Sequence, residues 1–431
     1  MFDRPGGIHL RGEDESLSGT GGSPWEVLRN RNLLLCLIAR FFASFGSQMV
    51  EVAVGYEIYE RTGSKLLLGY VGLTQFLPML AMTLPAGHVA DTRERRKVIM
   101  AMQSAQALAS LGLVFISHEH ASVNWMFLCL TLSGVARTFL WSASASFLPQ
   151  LVSREEFPRA LTWFSGVFQA SAVTGPAVGG VLYDWHGASL VYLLNAIMGG
   201  MCVALFAFVT VRHKPAAKEA FSMETLLGGF RFVFSHRTIL AIITLDLFAV
   251  LFGGATTLLP VYAKDILHVG SIGNGLLRAA LPVGSLVCAA LLAARPPMKK
   301  AGRSLLAAVV VFGVATIVFG ISKSFWLSLA MLFVAGFADN ISVIVRHTLV
   351  QLLTPDAMRG RVSSVNNLFI GTSNELGGFE SGFVAQYCGA LFSVVSGGIA
   401  TILVVAAVAW IWPEIPRYGR LVQPESKNPG A

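Results

Sequence analysis

Residues 66–97 read LLLGYVGLTQFLPMLAMTLPAGHVADTRERRK. The run from Leu66 to Ala90 holds no Asp, Glu, Lys or Arg. At ~1.5 Å per residue it is long enough to cross the ~30 Å hydrocarbon core of a bilayer as a helix. It stops at Asp91, and Arg93, Arg95, Arg96 and Lys97 follow at once. An apolar run closed by a tight knot of charge reads as a helix leaving the membrane into a short turn.

The same pattern recurs along the chain. Of its 431 residues 54% are hydrophobic and only 13% charged, against roughly 25% charged in soluble domains. Twelve apolar spans are expected: 33–58, 66–90, 97–117, 124–150, 160–182 and 188–211, then 239–263, 274–294, 304–322, 326–350, 362–386 and 390–412. The fold class is an all-α membrane protein. Residues 1–30 form a polar leading segment without the apolar core and cleavage site of a signal peptide, so the N-terminus is expected to be retained. Residues 31–211 and 239–412 form two six-helix bundles, 212–238 a linker, and 413–431 a tail.

The net charge of +8 follows from where the cations sit. If the N-terminus is cytoplasmic, the inner loops carry seventeen Lys and Arg and the outer loops only Arg61, Lys65, Lys264 and Lys323. That bias puts both termini inside a cytoplasmic (inner) membrane. No basic stripe interleaved with aromatics lies on a soluble segment, so nucleic acid is excluded as a partner. Cys36, Cys129, Cys202, Cys288 and, at the edge of one, Cys388 fall within expected helices without close spacing and read as packing residues. His118-Glu119-His120 has no third ligand nearby in sequence, so neither a metal nor a cofactor is expected.

The two bundles repeat one another. Leu151–Glu155 aligns with Leu352–Asp356, Gly69–Pro78 with Gly273–Pro282, and Gly175, Gly180, Gly187 and Ala188 with Gly377, Gly382, Gly389 and Ala390. Six spans return the chain to its starting side, so the repeats are parallel, an arrangement that places a substrate site between them near the midplane. In the linker, Met223, Leu226, Leu227, Phe230, Val233 and Phe234 recur at helical spacing after a potential Ser222 cap. This predicts an amphipathic helix on the inner membrane surface, or a plain connector.

Gly87, Asp91, Arg93, Arg95 and Arg96 resemble the signature loop of the major facilitator superfamily. Thr92 and Glu94 depart from it, standing where arginine and glycine are usual, and Arg295 stands opposite Asp91 in the second half. The resemblance implies a gating latch in which Asp91 sits against the positive N-terminal end of helix 11. Gly175-Pro176-Ala177-Val178-Gly179-Gly180 resembles the antiporter-type motif of the same superfamily, with Ser171 replacing a further glycine. It implies export, although such small residues also serve tight packing against helix 8. The runs from Asp246, from Ala338-Asp339-Asn340 to Thr348, at Arg359-Gly360-Arg361 and from Ser373 to Gly382 are similar to the bacterial branch that includes the enterobactin exporter.

Nine charged residues lie within the expected helices away from their ends: Arg40, Glu51, Arg137, Asp246, Arg278, Asp339, Arg346, Glu375 and Glu380. A charge at a helix centre costs at least ~2.5 kcal/mol on insertion scales, so such residues are kept for a partner or a pathway. Four cations and five carboxylates leave one acid over. Arg40 and Asp246 correspond between the repeats, and Arg137 lies near the counterpart of Asp339, which allows pairing across the halves; pairing within a half, Asp339 with Arg346, is equally open. Glu375, Asp339 and Asp246 are the proton-coupling candidates, and Glu51 and Glu380 are candidates for a substrate vestibule. The expected function is proton-coupled export of small amphipathic molecules by a monomer with protons and membrane lipids as its other partners. A lipid flippase, a facilitated uniporter and, for want of any catalytic constellation, least of all a membrane enzyme are the alternatives.

Overall fold

The computed structural model describes residues 25–210, 223–294, 298 and 300–419. Among these the chain is helical throughout and forms no strand. The long helices are α1 (Arg31–Thr62), α2 (Lys65–Thr92), α3 (Arg95–His118), α4 (Val123–Phe147) and α5 (Phe157–Ala207), then α6 (Met223–Ser235), α7 (Arg237–Phe252), α8 (Gly270–Ala293), α9 (Ala301–Ile321), α10 (Phe325–Leu353), α11 (Arg359–Cys388) and α12 (Ala390–Ile411). Most of the leading segment, the Ser222 cap, Arg295 and residues 420–431 lie outside the described residues.

Ten helices in the described residues are long and apolar enough to span a bilayer, and the distance to the expected twelve has two physical causes. The first is α5, which runs through both expected spans 5 and 6 without a loop, broken only where His186 leaves helical geometry and Gly187 takes φ +72°. Only a residue without Cβ enters that region freely. Its repeat partner Gly389 has φ +91° and separates α11 from α12, so the same device turns the chain in both halves. The second is α11, thirty residues long but diluted by Asn366, Asn367, Asn374, Glu375 and Glu380. Expected span 7 is also interrupted: α7 ends at Gly253, and short turns carry the chain on to a π-helical segment at Tyr262–Ile266. A side chain at Gly254 would stand 2.6 Å from the Gly377 carbonyl oxygen, so α7 breaks where α11 crosses it backbone to backbone.

The bundle has two ends. The far end carries the α1–α2, α3–α4, α9–α10 and α11–α12 turns, the α5 break and residues 253–269; the near end carries the other connections and α6. The apolar packing divides accordingly. One core at the far end joins both halves, drawing Met49, Ile58, Tyr183 and Tyr192 from the first and Leu258, Tyr262, Leu277 and Phe319 from the second. At the near end each half has its own, around Leu33, Phe147 and Phe206 in the first and around Ile242, Leu305 and Val362 in the second. The molecule is therefore a V, closed at the far end and parted at the near end.

Two matching helix crossings close it. A Cβ on Gly180 of α5 would lie 2.5 Å from the Ser271 carbonyl oxygen and 3.2 Å from the Cα of Gly275 on α8. A Cβ on Gly382 of α11 would lie 2.8 Å from the Lys65 carbonyl oxygen and 2.9 Å from the Cα of Gly69 on α2. Gly180 and Gly382 are the repeat partners found in the sequence, so the pseudo-symmetry extends to the interface. The α6 helix rests on the near end of α11: Gly229 faces the Arg361 carbonyl, and Phe230 meets Phe369 at 5.9 Å between ring centroids.

Candidate functional site

Four of the intramembrane charges gather between the halves. Glu51 on α1 forms an ion pair with Arg278 on α8, bridging first half to second. Arg137, Glu51 and Arg278 are the charged groups close enough to act on Glu375 of α11. Arg137 on α4 donates to Gln75 Oε1 on α2 at 3.0 Å. One turn away, Gly72 leaves the space that Glu375 fills, since a Cβ there would stand 2.9 Å from Glu375 Oε2. The Glu375 carboxylate has no ion pair or hydrogen bond of its own among the described residues. Two acids and two bases thus share one site, with one acid held beside a bridge and not inside it.

The other charges are distributed differently. Asp246 on α7 pairs with Arg346 on α10, both buried and both in the second half. This corrects two expectations at once, because Asp246 does not meet Arg40 and Arg346 does not meet Asp339. Arg40 instead lies over the Phe164 ring, 3.6 Å from its centroid, and donates to the Phe164 carbonyl oxygen at 3.3 Å. The reason is the V: Arg40 and Asp246 correspond in depth, but they sit toward the near end, where the halves have parted. Asp339 has no ion pair or hydrogen bond among the described residues, and Glu380 receives only Ser381 Oγ at 3.4 Å.

At the near end, Asp91 pairs with Arg95 at 3.7 Å in its own half, and no hydrogen bond or ion pair joins it to α11. Arg95 also donates to the Ala90 and Ser146 carbonyl oxygens, and Arg96 to the Phe206 and Ala207 carbonyls that end α5. Arg96 thus caps the last turn of α5, where the Phe206 carbonyl also accepts the Val209 N–H at 3.2 Å. The basic knot ties α2, α3, α4 and α5 together. Lys97 bonds Glu94 at 2.7 Å and holds its carboxyl below the usual carboxylate range. Arg93, the remaining basic residue of the signature, follows α2 as its C-cap. In the antiporter-type motif, a Cβ on Gly175 would meet Gln48 Cβ at 2.7 Å and one on Gly179 the Met49 Cα at 2.9 Å, both on α1. Pro176 and Gly180 face α8. The motif is where one helix presses on two.

The family model described as Major Facilitator Superfamily matches residues 36–377. The chain belongs to that superfamily. Like its family, it is a multi-pass membrane transporter and not an enzyme. It is 27% identical over 334 residues to the enterobactin exporter EntS of Citrobacter koseri, covering 76% of this chain and 79% of that one. It is 26% identical over 372 residues to the multidrug efflux pump Tap of Mycolicibacterium fortuitum, covering 83% and 90%. Among solved structures, a bacterial homologue of the human lysosomal transporter Spinster, described as inward-facing and occupied, superposes with a TM-score of 0.71 at 15% identity, covering 92% of this chain and 98% of that one. A bacterial homologue of the iron transporter ferroportin, described as inward-facing, gives 0.66 at 17%, covering 89% and 99%. At those identities the likeness is one of fold.

The far-end contacts of this superfamily member were not singled out in its sequence. Tyr59 donates to Asp265, Lys264 Nζ reaches the Glu60 carbonyl oxygen at 3.5 Å, Ser271 donates to Asp184 at 3.2 Å, and Gln386 Oε1 accepts from the Lys65 N–H at 3.0 Å. Each joins the two halves. A signal was present: Tyr59 and Asp265 are 206 residues apart, the separation of Arg40 and Asp246. Repeat partners meet only close to the pseudo-two-fold axis, and here that condition holds at the far end.

Proposed function

We propose that this transporter is a proton-coupled exporter of small amphipathic molecules working by alternating access. It would sit in a cytoplasmic membrane with both termini inside, so that the near end faces the cytoplasm and the described state opens inward. The observation that carries the reading is Glu375, an acid without an ion pair of its own beside the Glu51–Arg278 bridge between the halves. A carboxylate at that depth is costly when dry and tolerable when wet or paired, so its protonation and the rocking of the halves bias one equilibrium. Substrate entering between the parted near ends reaches the same groups. The export names of EntS and Tap support the direction. Asp91 acts when the near end closes, bringing α2 back to the positive N-terminus of α11.

The test is reconstitution of purified protein into vesicles with an imposed pH gradient and a panel of siderophore-like and drug-like compounds. Uphill movement of a panel member that collapses with the gradient is expected. Transport insensitive to the gradient would replace this reading with facilitated diffusion.

A further inference from the structure

At the far end, off the axis between the halves, lies a cavity of about 550 Å³ that the transport reading does not use. Its wall is built by the α5 break, the ends of α1 and α3, and the start of α8. Glu57, Glu60 and Asp184 bring three carboxylates to it, against the single guanidinium of Arg61. That cation is already committed, to Glu57 at 3.3 Å and to the Ala121 carbonyl oxygen. Glu57 is further held by Tyr192 at 2.7 Å. Glu60 and Asp184 have only hydroxyl donors, Tyr183 at 2.5 Å and Ser271 at 3.2 Å, and no ion pair. One oxygen of each is left to accept.

Tyr56 lines the same cavity, is only 7% exposed, and its hydroxyl makes no hydrogen bond among the described residues. The hydroxyl is therefore free to bond a group that enters the cavity. Its ring stands edge-to-face with Tyr183 at 5.1 Å, setting two aromatic rings beside the carboxylates. No three His, Cys, Asp or Glu among the described residues are grouped to hold a metal ion. Spread carboxylates, aromatic walls, a free hydroxyl and room for more than one ion suit a chain of N–H donors.

We infer that this cavity binds a linear aliphatic polyamine. Two carboxylates without an ion pair match two ammonium groups, the Tyr56 hydroxyl oxygen accepts from an ammonium N–H, and Ser271 makes the site sense the α5–α8 contact. The experiment is calorimetric titration of spermidine into the full-length protein in phosphatidylcholine nanodiscs, with empty nanodiscs and uncharged triethylene glycol as blanks. One spermidine per chain is expected, and no heat from triethylene glycol. The double variant Glu60→Gln/Asp184→Asn should weaken binding at least tenfold, and Tyr56→Phe, which keeps the ring and the fold, severalfold. Unchanged affinity in a folded double variant would overturn the assignment; should that variant not fold, unchanged affinity in Tyr56→Phe would do so. Displacement of spermidine by equimolar Mg²⁺ or Zn²⁺ would overturn it in favour of an inorganic cation. Loss of binding in Glu375→Gln would place the amine in the central path instead. The inference stands independently of the export reading, because binding is measured without transport.

Discussion

Among the nine intramembrane charges, partnership separates two kinds of residue. Asp246 and Arg346 form a buried ion pair, and breaking such a pair from one side leaves an uncompensated charge costing about 3–5 kcal/mol. Arg346→Met should therefore lower the melting temperature of the detergent-solubilised protein markedly, and adding Asp246→Leu should recover most of the loss. A double variant no more stable than the single would show that the pair is not what holds α7 to α10. Glu375 is of the other kind. Glu375→Gln keeps its shape while fixing the neutral form, so it should abolish uphill export driven by a pH gradient yet leave substrate exchange intact. Asp339→Asn in the same vesicles examines the other acid with neither an ion pair nor a hydrogen bond among the described residues. If both variants pump as the parent does, proton coupling does not run through these acids. The nine charges themselves were legible in the sequence, because an apolar span makes any ionisable residue conspicuous. Their pairing was not, because it depends on which depth the halves share: Arg40 and Asp246 match in register but stand on the parted limbs, and Arg40 settles on Phe164 instead.

For the helices, the α5–α8 and α2–α11 crossings set how closely the halves meet. Gly180 has no room for a side chain against Ser271 and Gly275, so Gly180→Leu should disfavour the closed far end. Asp91→Asn should do the opposite, weakening near-end closure by the ~0.3–1 kcal/mol of a charge at a helix terminus. The check is labelling of single cysteines placed at Ser271 and at the exposed Ser363, after removal of the exposed native Cys388. Gly180→Leu should raise labelling at position 271 and Asp91→Asn should raise it at 363; the same pattern in both would remove their opposed gating roles. Helix positions followed from apolar length, and so did the break in α5, since His186 and Gly187 fall between the expected spans 160–182 and 188–211; the break in α7 did not. Gly253–Gly254 interrupt α7 because α11 passes there, a contact between residues more than a hundred apart that no local pattern contains.

As a whole, the molecule closes at one end through a joint core and opens at the other, which makes its orientation testable. Cysteines at residue 225 and at both termini should be reached only from the cytoplasm, and those at Glu119 and His268 only from outside; an external 225 would reverse the assignment. Replacing Lys65 and Gln386 with cysteines, where the backbone N–H of one meets the side chain of the other, should allow oxidation to lock the far end. Transport should stop on oxidation and return with a reductant, and transport that continues through a formed disulfide would exclude rocking about this end. The far-end tie has an arithmetic consequence. Beside the joint core and the two helix crossings, its polar part is the Tyr59–Asp265, Lys264–Glu60, Ser271–Asp184 and Gln386–Lys65 hydrogen bonds, each worth about 0.5–1.5 kcal/mol net. Together they amount to a few kcal/mol, the same order as the ~5.5 kcal/mol of differential affinity that carries a two-state population from 1:99 to 99:1. A polar clasp of that strength is small enough for differential binding of a solute to turn, whereas a much stronger one would hold the far end shut whatever was bound.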